Sequence, residues 1–201
     1  MTCHDRGMDD EVLAVIERLT AAAAEHDAGQ ADRLDRWRVL EPDAGRFLWF
    51  LTQSVGARSI VEIGTSRGVS TLWLADAARA TGGTVTTYDT DPAAQDAARA
   101  TTSEAGLADL VDFRLADGGA ALSTLADASV DLLFLDAERT EYPSWWPHPL
   151  RVLRPGGVLV ADNALSHPDE IAPVEALLRA DPALTVTTIA VGKGELVALK
   201  V

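Results

Sequence analysis

The strongest constraint on this chain is an alternation. Five short apolar runs, RSIVEIG, GTVTTYD, LVDFRLA, VDLLFLD and GGVLVADN, are each followed by a stretch with helical spacing. Runs of Val, Ile and Leu without strict polar alternation suit strands covered on both faces. Strand–helix units repeated in this order close as a mostly parallel, doubly wound sheet, with right-handed crossovers laying the helices on its faces. The chain closes with ALTVTTIAVGKGELVALKV, which reads as a hairpin turning at Gly192-Lys193-Gly194 and adding one antiparallel strand, for a seven-stranded α/β sheet.

Two helices precede the alternation. MDDEVLAVIERLTAAAAEH places Val12, Val15, Ile16 and Leu19 on one stripe. EPDAGRFLWFLTQSVG reads as a second helix burying Phe47, Leu48, Phe50 and Leu51, with Gly56 as its stop. The expected division is an N-terminal helical segment, 1–40, and an α/β part, 41–201, in one domain. A chain of 201 residues with 47% hydrophobic content fills one sizeable core and is short for two. A net charge of −14 repels phosphate backbones, which argues against a nucleic-acid partner. The single cysteine, Cys3, cannot form an internal disulfide. The polar start MTCHDRGMDDE lacks the apolar segment of a signal peptide, and no run reaches the roughly 20 apolar residues of a membrane span. The expected setting is the cytoplasm, with no membrane partner.

In a doubly wound sheet, ligands bind beyond the carboxyl ends of the strands, and the polar residues here fall at those ends. The first strand ends VEIGTSRG, with Gly64 and Gly68 four apart. That is neither the G-x-G-x-x-G of a dinucleotide fold nor a P-loop, since no Gly-Lys-Ser/Thr follows. A loop of this kind suits a ligand with a carboxylate and an amine, which Ser70 in the next helical turn and Glu62 in the strand can receive. Glu62 can equally cap its own loop. Asp89 ends the second strand, placed to accept from a ribose diol, while Asp91 with Pro92 caps the following helix. Asp117 and Gly118 end the third strand, where an adenine edge would lie. Asp136 ends the fourth, and Asp162-Asn163 the fifth. Two carboxylates and an amide oxygen on neighbouring strands suit Mg²⁺, and the competing reading is that they cap the loops that follow.

Taken together these segments resemble the Rossmann-like class I S-adenosylmethionine-dependent O-methyltransferases, in the catechol and caffeoyl-coenzyme A branch. VEIGTSRGVSTLWLA is similar to the family's cofactor loop, YDTDP to its acidic second strand, and FLDAERTEY to its VDADKxNY. LRPGGVLVADN resembles the segment before its metal-binding Asp-Asn, and VGKGELVALKV its closing GDG hairpin. The resemblance implies transfer of a methyl group from S-adenosylmethionine to a small-molecule hydroxyl, phenolic or catechol-like, by a homodimer. It implies that Glu62, Gly64, Thr65, Ser66, Gly68, Ser70, Asp89, Thr90, Asp117, Gly118, Asp136 and Glu138 hold the cofactor. It also implies that Asp136, Asp162 and Asn163 bind Mg²⁺ or another divalent cation.

The chain departs from that pattern at Arg139, where the family has a lysine as base. Arginine stays protonated, so it can steady a phenolate by charge but not take a proton. His167, soon after Asn163, is the alternative base, with His148 a second candidate. Trp145 and Trp146, between prolines, either pack a helix onto the sheet or wall a substrate pocket. Rival readings are metal-free methyl transfer to a natural-product or sugar hydroxyl or to nitrogen, a nucleotide-binding module, and a non-catalytic relative.

Overall fold

A computed structural model describes residues 7–32 and 36–201. Cys3 lies outside the described residues. Helix α1 spans Asp10–Ala28, and its N-cap Asp9 accepts from the Glu11 N–H. Helix α2 is Pro42–Ser54. The alternation then runs β1 (Ser59–Ile63), α3 (Val69–Thr81), β2 (Thr84–Asp89), α4 (Pro92–Glu104), β3 (Val111–Leu115), α5 (Gly118–Thr124) and β4 (Val130–Leu135). A short 3-10 helix over Arg139–Trp145 leads to α6 (His148–Val152), β5 (Leu153–Ala161), α7 (Pro168–Ala180), β6 (Leu184–Ile189) and β7 (Glu195–Lys200). Where the sequence suggested one proline-interrupted helix there are two short ones, because Pro147, with no N–H to donate, stands between them.

The sheet order is β3-β2-β1-β4-β5-β7-β6. β3, β2, β1, β4 and β5 are parallel, and β7 runs antiparallel to both β5 and β6. One core cluster on one face joins α1, α2 and α3 through Val12, Ile16, Leu48 and Trp73, and a second on the other face contains Leu122, Val152, Ile171 and Val174. Helix α1 thus shares the core of the sheet. Trp145 and Trp146 both pack against the second cluster.

Helix α2 buries Ala44, Gly45, Leu48 and Thr52, while Phe50 is 65% exposed. The expectation that Phe50 is buried is corrected here. Apolar residues nearly encircle this helix, so its spacing alone does not choose a face. Among the described residues no helix is long and apolar enough to cross a membrane.

Candidate functional site

The ladder continues one residue past the strands. The Asp136 N–H donates to Ile63 C=O (2.9 Å), the Asp162 N–H to Leu135 C=O (3.1 Å) and the Gly64 N–H to Tyr88 C=O (2.8 Å). These bonds set the ends of β2, β1, β4 and β5 side by side. Above them lies a cavity of about 620 Å³. Gly64, Ser66, Asp89 and Thr90 line one side, and Asp117, Gly118, Asp136 and Glu138 another. Arg139, Asn163, His167 and Lys193 complete the far end.

Gly64 has φ +108°, and a Cβ there would meet the Asp136 carbonyl oxygen at 2.2 Å. Only a glycine lets the β1 turn pass this close to β4. Asp89 organises the next turn: its carboxylate accepts from the Ser66 N–H (2.8 Å) and the Asp91 N–H (2.9 Å). Each oxygen keeps a lone pair for a hydroxyl donor in the cavity. Asp91 caps α4 through the Ala93 N–H, as its sequence context indicated. Asp117 does double service, capping α5 through the Ala120 N–H (2.8 Å) while lining the cavity.

Four residues expected to touch the cofactor, Glu62, Thr65, Gly68 and Ser70, do not line the cavity. Thr65 is fully buried, with its hydroxyl 2.6 Å from that of Thr87. Glu62 is 0% exposed; one oxygen accepts from Thr71 (2.5 Å) and Thr87 (2.6 Å), and the other meets no donor. Ser70 is buried beside Glu62. The reason is alternation: Glu62 leaves β1 on the face that α3 covers, where Thr71 and Thr87 donate to one of its oxygens. Gly68, at φ +83°, starts α3 with its backbone close to Ala98 of α4.

Burial raises the Glu62 pKa from 4.5 to about 7, against the lowering pull of the Ser70, Thr71 and Thr87 hydroxyls. The folded protein therefore holds this proton more tightly than the unfolded chain. The stability from this group is full below about pH 4.5 and is lost as pH rises through about 7, a loss on the order of 3 kcal/mol. Thermal melts are expected to show falling stability from pH 6 to pH 8, and Glu62→Gln to flatten that slope.

The residue after Asp136 is pinned from below. Tyr142, fully buried, accepts from the Ala137 N–H (2.8 Å) and donates to the Ala137 C=O (3.1 Å). Tyr142→Phe strands both groups and is expected to cost roughly 1–3 kcal/mol in denaturant unfolding.

The far end gathers acids. Burial, then the charge of Asp162, pushes the Asp136 carboxyl well above its usual range. Asp162 rises to about 6 through burial, against the pull of the Asn163 N–H. Glu195 is fully buried with no donor to either oxygen, and burial with the neighbouring Asp162 charge pushes it up to about 10. Both effects favour its neutral form. Both Asp162 oxygens accept from Asn163, one from the N–H (2.6 Å) and one from Nδ2 (2.8 Å). Asn163 itself sits at φ +69°, which its short side chain tolerates. Its Oδ1 accepts from Ser166 Oγ (3.2 Å).

Two cations enter this end. Arg139 is 4% exposed and reaches Glu170 of α7 through Nε (2.8 Å) and a second nitrogen (2.7 Å). Its charge is thereby matched, which weakens the expectation that it steadies a phenolate. Lys193, from the hairpin tip, places Nζ 2.5 Å from a Glu41 oxygen. His167 begins α7, with Nδ1 2.9 Å from Ser166 Oγ.

The sequence reading did not single out Lys193, Glu41 or Glu195, nor a strap at the mouth. Trp37 C=O accepts from Ser66 Oγ (3.0 Å), the Arg67 guanidinium lies 4.6 Å over the Trp37 ring, and His26 stacks on that ring at 4.5 Å. A tryptophan set between two arginines in RWRVL was the available signal.

The family model described as O-methyltransferase matches residues 15–201. A catechol O-methyltransferase of Mycobacterium tuberculosis is 33% identical over 80% of this chain and 71% of its own. The crystal structure of an O-methyltransferase from Bacillus cereus in complex with S-adenosylhomocysteine superposes with a TM-score of 0.76 at 27% identity, covering 98% of this chain and 94% of that one. The O-methyltransferase TomG of Streptomyces achromogenes, involved in tomaymycin synthesis and solved with S-adenosylmethionine, gives 0.76 at 27% identity, covering 100% and 99%. The strand-end cavity and matches of this extent lead to one conclusion: the chain belongs to the O-methyltransferase family, the class I S-adenosylmethionine-dependent enzymes that its motifs resemble.

Proposed function

We propose that the protein methylates a hydroxyl of a small phenolic or catechol-like molecule held at the far end of the cavity, between Asp136, Asn163, His167 and Lys193. The observation that carries this reading is the continuity of the cavity from Asp89 to those four residues. A cofactor reaching from one end would meet an acceptor at the other. The residues fit the cofactor: Asp89 has lone pairs for a ribose diol, Asp117 and Gly118 offer a wall for adenine, and Gly64, Ser66, Thr90 and Glu138 line the span between. Gly64 leaves room where a Cβ would close the floor. S-adenosylmethionine supplies a sulfonium methyl that is electrophilic without further activation. The chain's task is to orient an oxygen in line with it and to exclude water. Asp136 and His167 are the wall groups able to take the acceptor's proton, and Arg139 is not, being permanently protonated. The relative named catechol O-methyltransferase supports a phenolic acceptor. A cytoplasmic homodimer without nucleic-acid or membrane partners completes the proposal, and the charge of −14 supports the exclusion of nucleic acid.

The resemblance also implies a divalent cation on Asp136, Asp162 and Asn163. The donors as arranged do not fit one. The Asn163 amide turns its nitrogen to Asp162 and its oxygen to Ser166, so it does not offer that oxygen beside the two carboxylates, and the Lys193 ammonium lines the same cavity. Lys193 favours the metal-free version of the reaction.

Transfer of labelled methyl from S-adenosylmethionine to a panel of catechols and simple phenols, with and without chelator, tests the reading. Labelled methyl ether is expected in both conditions. A protein that binds S-adenosylhomocysteine yet methylates none of the panel would move the acceptor to amines or sugar hydroxyls.

A further inference from the structure

We infer that Lys193 is a built-in cation of the acceptor site, standing where the resemblance would place a divalent metal ion. The inference rests on the methyltransferase reading and names the group that meets the acceptor oxygen.

The tip carrying Lys193 is pinned on two sides. The Gly192 N–H donates to Asp43 Oδ2 (3.0 Å) at the start of α2, and a Cβ on Gly192 would press on Ala44 at 2.9 Å. On the other side, Lys193 C=O accepts from Leu165 N–H (2.9 Å) and Ser166 N–H (3.1 Å), and Gly194 C=O from Ala164 N–H (2.8 Å). Those donors belong to the loop directly after Asp162 and Asn163. The lysine is therefore held in register with the acids it faces. Its ammonium bonds Glu41 at 2.5 Å and lines the same cavity wall as Asp136 and Asn163. Its charge acts on both Asp136 and Asp162, opposing the upward pull of burial on each.

The hairpin that resembles a family GDG reads GKG here, so the charge at that position is reversed. Arg139, standing at the family's lysine position, is bound to Glu170. Lys193 is likewise paired, with Glu41, but its side chain is the more exposed of the two and its charge reaches both Asp136 and Asp162, so the cation facing the acceptor comes from the hairpin. A fixed ammonium and a divalent ion cannot share this space without strong repulsion. The two cations also select differently. An ammonium offers N–H donors to one oxygen, whereas a divalent ion can chelate two neighbouring oxygens. Lys193 therefore removes the need for a vicinal diol, and single hydroxyls become acceptors.

Electron paramagnetic resonance titration of Mn²⁺ into the full chain saturated with S-adenosylhomocysteine tests this, with the cofactor product's own binding measured by calorimetry on the same samples. Wild type is expected to show no tight Mn²⁺ site. Lys193→Asp is expected to bind Mn²⁺ at least about 100-fold more tightly than wild type, the scale set by reversing a charge beside a divalent ion. Lys193→Met, which keeps the length and drops the charge, shows a smaller gain and stands in if the aspartate variant fails to fold. One tight site in wild type that Asp136→Asn abolishes overturns the inference. So does a folded Lys193→Asp or Lys193→Met with no gain. Failure of wild type to bind S-adenosylhomocysteine would instead overturn the methyltransferase reading itself.

Discussion

Gly64→Ala is expected to lose roughly 3–5 kcal/mol of stability, combining the strain of a left-handed backbone with overpacking. The position leaves no relief. Its φ of +108° lies outside what an alanine adopts easily, and the atom a Cβ would strike at 2.2 Å is the Asp136 carbonyl oxygen. That carbonyl belongs to the residue whose N–H makes the last β1–β4 bond, to Ile63 C=O. Any shift that accommodates the methyl group separates the two strand ends forming the cavity floor. Denaturant unfolding with and without S-adenosylhomocysteine should show both a lower midpoint and no ligand stabilisation. A variant with the midpoint and ligand response of wild type would mean that the β1–β4 approach is looser than described.

Asp89→Ala is expected to weaken S-adenosylhomocysteine binding by about 100-fold or more, since each hydrogen bond to a charged group contributes about 1.5–3 kcal/mol. Two effects add. The ribose hydroxyls lose a carboxylate, and the Ser66 and Asp91 N–H groups lose the acceptor that shapes the turn. Asp89→Asn separates them: its amide oxygen can keep one turn bond, so most of the fold survives while binding falls. Calorimetry on both variants is the readout. Unchanged affinity in Asp89→Ala would remove the ribose from this end of the cavity.

Both predictions concern residues visible in the sequence, and their legibility has a physical basis. Strands buried on both faces leave little apolar ambiguity, so Asp89, Asp136 and Asp162 stand out as the first polar groups past each run. Asp91-Pro92 is equally local, a cap and a helix start read from two residues. Phe50 was misplaced because α2 carries apolar side chains on most of its circumference, and only packing against α3 selects the Ala44–Leu48–Thr52 face. The resemblance gives Thr65 and Ser70 to the cofactor, and the fold buries both side chains, Thr65 against Thr87. A one-dimensional motif cannot say on which side of a loop a hydroxyl points. Trp37 arrives from a segment outside the motifs and Lys193 from the closing hairpin, through contacts with Ser66, Arg67 and Glu41 that only the folded chain creates. Lys193 was visible as a residue within a turn, but its role depends on where the tip docks.

The most direct test of the account is a crystal structure of the full chain with S-adenosylhomocysteine, grown in the presence of Mn²⁺. The account predicts the ribose hydroxyls on Asp89, the adenine beside Asp117 and Gly118, and the sulfur facing Asp136. It also predicts the Lys193 ammonium, rather than an anomalous Mn²⁺ peak, at the acceptor end. Ligand density away from the strand ends, or a manganese ion bound by Asp136, Asp162 and Asn163 with Lys193 turned away, would contradict it.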